Sequence, residues 1–188
     1  MRSQKSPFID AIVKTLSFFE RQKVEYFLLG GVAVTLLGEP RFTKDLDIDL
    51  FLPKESANSF FDKLKKADFT LDKREATKRV KETGTFRFSC RGVGIDIILA
   101  STELENSALK RKKRISLYGV KTWLPSPEDL ILLKLIPGRP KDLIDVESVI
   151  LRHRKKLDVK YLETWAQKIS DEMQNFRVWH QLKKILKG

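Results

Sequence analysis

Between residues 7 and 22 apolar side chains recur every three to four positions, and Phe8, Ile12, Leu16 and Phe19 fall on one side of a predicted amphipathic helix. Residues 24–29 are a short apolar run that reads as a strand. Gly30-Gly31 breaks it, and residues 32–37 read as a helix opening directly from the glycines and ended by Gly38, Glu39 and Pro40. Residues 45–52 alternate acid and aliphatic, the period of a strand. Residues 54–66 predict a helix with Phe60, Phe61 and Leu64 as its apolar face. Residues 85–90 and 93–100 read as strands joined by an Arg91-Gly92 hairpin turn, and ISLYGVKTWL (115–124) reads as one further strand. Ser126-Pro127 is a helix start, with serine at the cap and proline in the first turn, and that helix carries LILLKLI. Pro137 to Pro140 interrupts it, and helices follow at about 142–152, 158–170 and 171–187. Strands 24–29, 45–52 and 93–100 are expected side by side. The order predicts an α+β (mixed α/β) fold, with a small twisted mixed sheet and flanking helices over residues 1–125. A helical C-terminal part, residues 126–188, is expected to pack on that core.

Composition narrows the class. The chain has 188 residues, 41% hydrophobic and 33% charged, which excludes a disordered chain and suits one domain with a helical appendage. The runs YFLLGGVAVTLLG and DLILLKLI are shorter than the roughly 18 apolar residues of a membrane span, so no membrane partner is expected. Asp10 and Lys14 interrupt the N-terminal apolar stretch, which therefore reads as an amphipathic helix and not a signal peptide. Cys90 is the only cysteine and His153 and His180 the only histidines, so a disulfide framework and a zinc site are excluded, and a reducing cytoplasm is the expected compartment.

The formal net charge is +12, and most of the excess falls after residue 100. Two runs, Lys110 to Arg114 and Arg152 to Lys156, suggest a polyanionic partner, because each neutralised phosphate releases counterions. The alternative is a solvated surface that aids solubility. Tyr118 and Trp123 alternate with apolar residues and are expected in the core.

The candidate chemistry starts at Asp45-Leu46-Asp47-Ile48-Asp49-Leu50. Alternation puts Asp45, Asp47 and Asp49 on one strand face, where their charges repel and a cation would relieve them. A solvated acidic edge strand is the plain alternative. Asp96 is the lone charge in the apolar run 93–99, where a carboxylate is costly unless paired or metal-bound. If the two strands are neighbours, three carboxylates converge. Gly30-Gly31 lies between a strand and a helix N-terminus, a place where backbone N–H groups can hold phosphate, though any tight turn favours glycine. Arg41 and Thr43 lead into the acidic strand and are candidates to contact phosphate, the plain alternatives being a threonine that caps the strand entry and an arginine in a loop where charge is cheap. Lys134 is the only charge in LILLKLI, and Asp142 and Asp145 share a face of the next helix. They are expected to pair with Lys134 and Arg139 or to help position a nucleotide.

The segments GGVAVTLLGEPRFTKDLDIDLFLP, GIDIILA and PEDLILLKLIPGRPKDLIDV resemble the nucleotidyltransferase fold of the DNA polymerase beta superfamily over about residues 7–170. The nearest branch resembles the AbiEii/AbiGii-type nucleotidyltransferases, toxins of toxin–antitoxin systems. The most specific pieces are R-x-T-x-D-x-D and K-x4-R-x2-D-x2-D, with the lone strand aspartate between them. The resemblance implies that Asp45, Asp47 and Asp96 are catalytic and bind Mg²⁺ (or Mn²⁺), with Asp96 positioning or deprotonating the acceptor hydroxyl. It implies that Gly30 and Gly31 form the phosphate-cradling turn. Lys134 and Arg139 would contact nucleotide phosphates or stabilise the site, and Asp142 and Asp145 match the final motif. Asp49 is an additional acid with no metal assigned. Many members carry Gly-Ser where this chain has Gly30-Gly31, so one hydroxyl is missing.

The expected reaction is transfer of a nucleoside monophosphate from a nucleoside triphosphate to an acceptor hydroxyl, releasing pyrophosphate. Charge favours RNA, such as a tRNA 3′ end, as acceptor, with a protein hydroxyl as runner-up. In a toxin setting an antitoxin protein would be a partner. The rivals are a protein that keeps the fold but only binds nucleic acid or a partner, and a metal-dependent nuclease.

Overall fold

The computed structural model describes residues 6–187; residues 1–5 of the N-terminal segment read above, and Gly188, lie outside the described residues. The chain forms two compact units. The first comprises the residues up to Val32 together with Phe42–Leu124; the second comprises Ala33–Arg41 and the chain from Pro125 onward.

The first unit is built on a four-stranded sheet. Helix α1 (Pro7–Gln22) precedes β1 (Glu25–Leu29), and α2 (Gly30–Leu37) follows without a linker. Strand β2 (Leu46–Phe51), a single 3-10 turn (Lys54–Ser56), α3 (Ala57–Lys66), α4 (Lys73–Thr83), β3 (Thr85–Cys90) and β4 (Val93–Leu99) come next. The strand order is β1-β2-β4-β3; only β2 and β4 are parallel, and the other two pairs are antiparallel. Strands 1, 2 and 4 are thus neighbours, and Arg91-Gly92 forms the β3–β4 turn, as the sequence pattern predicts.

Register decides what each face carries, because directly paired residues share a face. Tyr26, Leu28, Leu46, Ile48, Leu50, Ile95, Ile97, Phe86 and Phe88 line one face and are buried. That face meets rings from α1, α3 and the segment after α3. Phe61 meets Phe86 edge-on at 5.0 Å, Phe69 meets Phe88 at 5.1 Å, and Phe19 meets Tyr26 at 5.1 Å. Each buried ring is worth about 2–3 kcal/mol of transfer free energy, so this aromatic layer holds the unit together. The opposite face carries Leu29, Asp47, Asp96 and Arg87 in one row across the sheet, with Phe27, Asp49, Ile98 and Thr85 in the next.

Three elements differ from the sequence expectation. Helix α4 is polar and buries only Ala76 and Val80, which hides its period; Asp72 caps it by accepting from the Glu75 N–H. Helix α5 (Glu103–Arg111) starts with a capping box between Thr102 and Glu105. Residues 115–124 are not one strand but two, β5 (Lys113–Leu117) and β6 (Val120–Leu124), paired antiparallel. Tyr118 and Gly119 make the turn with φ of 50° and 83°. Tyr118 is therefore about half exposed instead of in the core, and Trp123 is partly covered by Lys112 and Arg114 over its ring at 4.7 and 5.4 Å.

The second unit holds the end of α2 with α6 (Pro127–Leu135), α7 (Pro140–His153), α8 (Val159–Glu172) and α9 (Arg177–Lys187). Ser126 caps α6 by accepting from the Asp129 N–H, with Pro127 in the first turn. The end of α2 is closed by the second basic run: Arg152 donates to the Gly38 carbonyl (2.6 Å) and His153 to the Leu37 carbonyl (2.8 Å). Lys112 and Arg114 of the first run pair with Glu25 and Glu20. Both runs are thus used in part inside the fold.

One carboxylate in the core is unpaired. Asp49 is fully buried and neither of its oxygens has a hydrogen-bond partner. Burial, reinforced by the charge of Glu105, pushes its pKa from 3.8 up to about 8. Glu105 is fixed as an acceptor from the N–H groups of Ser101 and Thr102 and from the Thr102 hydroxyl. Between pH 4 and 8 the folded chain holds a proton that the unfolded chain has released, so stability falls as pH rises and levels off above about 8. Unfolding of Asp49→Asn followed across this range is expected to lack that fall. The variant gains on the wild type from pH 4 to 8, and the difference is constant beyond.

Candidate active site

Parallel pairing of β2 with β4 sets Asp47 directly opposite Asp96, while Leu46 opposite Ile95 and Ile48 opposite Ile97 point into the aromatic layer. Asp45 precedes the strand by one residue. Its Oδ1 accepts from Nη2 of Arg87 at 2.5 Å, and Oδ2 of Asp96 accepts from Nη1 of the same guanidinium at 2.7 Å. Arg87 is the register partner of Asp96 on β3. Partial burial works against the charge of Arg87, but Asp96 and Asp45 outweigh it and raise its pKa. The predicted convergence of the acidic strand with Asp96 is therefore present, and Arg87 is a member that the sequence reading missed.

The glycines fit around the same carboxylates. Gly30 has φ of +58°, and a Cβ there would overlap the Asp47 carboxyl. A Cβ on Gly31 would come within 2.7 Å of the Thr43 Cβ and 2.8 Å of its hydroxyl. Thr43 in turn donates to the Asp45 carbonyl at 3.1 Å, fixing the entry into β2. Close approach of Asp47 and Thr43 is thus enough to require both glycines. The N-terminal end of α2 starts at this turn.

Arg41, Lys134, Arg139, Asp142 and Asp145 gather in the second unit. Nζ of Lys134 donates to Asp142 at 3.0 Å and to Asp145 at 2.7 Å. Nε of Arg41 lies 2.8 Å from Asp145, and Nε of Arg139 lies 2.5 Å from Asp142. Asp142 is completely buried and Asp145 nearly so. Burial works to raise the pKa of Asp142, yet hydrogen bonds from Arg139 and Lys134 outweigh it and hold it below the ordinary value. The network links the end of α6 to the first two turns of α7. It is satisfied by its own members, with no nucleotide needed to account for it.

Asp45, Asp47 and Asp96 offer the hard oxygen donors that Mg²⁺ takes. Among the described residues no three carboxylate, imidazole or thiolate groups are assembled as a ready cation cage. Two of the three carboxylates are turned onto Arg87 instead. The donor chemistry fits a divalent ion, and Asp45 and Asp96 are each bonded to the Arg87 guanidinium.

A family profile described as "Nucleotidyltransferase of unknown function (DUF6036)" matches residues 8–186. Comparison with curated proteins gives no match. Among solved structures, the solution structure of the antibiotic-resistance factor ANT(2'')-Ia is similar at 14% identity and a TM-score of 0.57, covering 88% of this chain and 94% of that one. The lincomycin-bound lincosamide antibiotic adenylyltransferase LnuA is similar at 16% identity and a TM-score of 0.49, covering 73% and 93%. An antigenic nucleotidyltransferase-like protein from Paracoccidioides brasiliensis is similar at 17% identity and a TM-score of 0.45, covering 95% and 93%.

Removing the central cation of the buried network should be costly. Lys134→Met, followed by denaturant unfolding, is expected to lose about 3–5 kcal/mol, because Asp142 and Asp145 lose the amine they share. Arg139→Ala is expected to lose under about 1 kcal/mol, since the Arg139 side chain is 58% exposed.

Proposed function

The chain belongs to this nucleotidyltransferase family, and we propose that it moves a nucleoside monophosphate from a nucleoside triphosphate to an acceptor hydroxyl at the β2–β4 carboxylates. The observation that carries the reading is the direct register of Asp47 with Asp96, with Asp45 and Asp96 both bonded to the Arg87 guanidinium. Asp45, Asp47 and Asp96 would hold Mg²⁺ or Mn²⁺. When bound, the ion supplies charge neutralisation for the phosphates and the departing pyrophosphate.

The chain's own groups divide the remaining work. Asp96 sits centrally in its row and is assigned to accept the proton of the acceptor hydroxyl, as that oxygen forms a bond to the α-phosphorus and the bond to the β-phosphate oxygen breaks. The Gly30-Gly31 turn lets the chain approach closely and presents the N-terminal end of α2 to an anion. Thr43 fixes the loop that carries Asp45. Lys134, Arg139, Asp142 and Asp145, with Arg41, are assigned to hold the start of α7 in place.

The acceptor is assigned to RNA, on the strength of the +12 charge and of cations left exposed, among them Lys113, Arg154, Lys155 and Lys156. A toxin role would follow from the same chemistry where that RNA is essential to the cell.

The test is transfer of label from each α-³²P nucleoside triphosphate, with Mg²⁺ and with total RNA or soluble protein as acceptors. Label is expected in RNA with the wild type. Asp47→Asn is expected to lower the rate by about 10³-fold or more, the equivalent of several kcal/mol of lost transition-state stabilisation. Label in protein would replace the acceptor, and no label with any nucleotide from folded protein would overturn transfer.

A further inference from the structure

Resting on that reading, we propose that Arg87 is a positioning residue that stands in for the divalent cation, and that it must give up Asp45 and Asp96 before the cation binds. The argument begins with charge. Asp45, Asp47 and Asp96 lie on one side of the sheet, and without a counter-ion their repulsion would push the loop before β2 away from β4. Arg87 answers this with two arms of one rigid fork, one on each carboxylate. Asp45 is 42 positions from Arg87 in sequence, so the fork ties the entry of β2 to the β3–β4 hairpin.

The position is built and not incidental. Gly94 lies on β4 where any Cβ would overlap the Arg87 guanidinium and come within 2.6 Å of Asp45 Oδ1. The glycine therefore clears a seat for the fork. A role limited to pairing β3 with β4 would need only Asp96, the register partner, and would leave Asp45 unexplained.

The seat is also reversible. The side chains of Arg87, Asp45 and Asp96 are 46%, 42% and 32% exposed, so the ion pairs are solvent-screened and the arginine can swing out without opening the core. A divalent ion needs carboxylate oxygens at about 2.0–2.1 Å, and a guanidinium bonded to the same two carboxylates opposes its positive charge. Arginine and divalent ion are thus antagonists at one site. Their exchange leaves the guanidinium available to an anionic substrate group.

Titration of the whole chain with Mn²⁺, read by loss of the free-ion paramagnetic resonance signal, tests this without any nucleotide. Arg87→Ala is expected to bind Mn²⁺ about tenfold more tightly than wild type. Arg87→Lys, whose single ammonium cannot span both carboxylates, is expected to fall between them. Thermal unfolding supplies a second readout: without metal Arg87→Ala melts below wild type, and saturating Mn²⁺ removes the difference. Unchanged or weaker Mn²⁺ binding in folded Arg87→Ala, alongside wild-type binding that is lost in Asp47→Asn, would overturn the role of Arg87 and leave the metal site standing. Mn²⁺ bound by neither wild type nor Arg87→Ala would overturn both.

Discussion

Two neighbouring strands that run the same way place a carboxylate beside a carboxylate. The β2–β4 pair is the only parallel one in the four-stranded sheet, and it makes Asp47 and Asp96 register partners. Everything nearby follows from having to tolerate that repulsion. The fold places an arginine in the same row, leaves a glycine in β4 so that the arginine can lie flat, and keeps these groups partly open to solvent. The other face carries the opposite load: its rings and aliphatic chains form the dry layer that keeps both strands from sliding. A one-residue slip of either strand would exchange the two faces and bury the acids, so the aromatic layer fixes the register of the acidic row.

Charge is handled differently elsewhere. In the second unit Lys134 sits among buried carboxylates with arginines closing the outer sides. That cluster is saturated by its own members. Asp49 shows a third solution, in which a buried acid with no partner keeps its proton. The three arrangements differ in exposure, and exposure sets whether a carboxylate stays available to a passing cation.

Much of this was readable from the chain alone. The alternation in DLDIDL and the apolar run around Asp96 gave the two central strands and the acidic face. Arg87 was also within reach: the Arg91-Gly92 turn sets Cys90 opposite Val93, which carries Arg87 opposite Asp96. Thr102 and Glu105 spell a helix start in the sequence itself. Helix α4 gave little signal, since KREATKRVKET buries only Ala76 and Val80. The turn at Tyr118-Gly119 was hidden because apolar alternation runs on through both arms of the hairpin. Burial of Asp49 could not be read, since nothing local distinguishes it from Asp47 two residues earlier.

The chain crosses between its two units three times, and Ala33–Arg41 is the short excursion. That excursion carries Arg41, the outer partner of Asp145, and the carbonyls of Leu37 and Gly38 that receive His153 and Arg152. The C-terminal helices therefore cannot be exchanged between proteins as a cassette cut at residue 125. A graft at that point would arrive with a buried acid missing one of its cations and two helix-terminal donors missing their acceptors. The two parts are bound to be inherited together, and a change in the loop before β2 is constrained by helices more than 100 residues further along the chain.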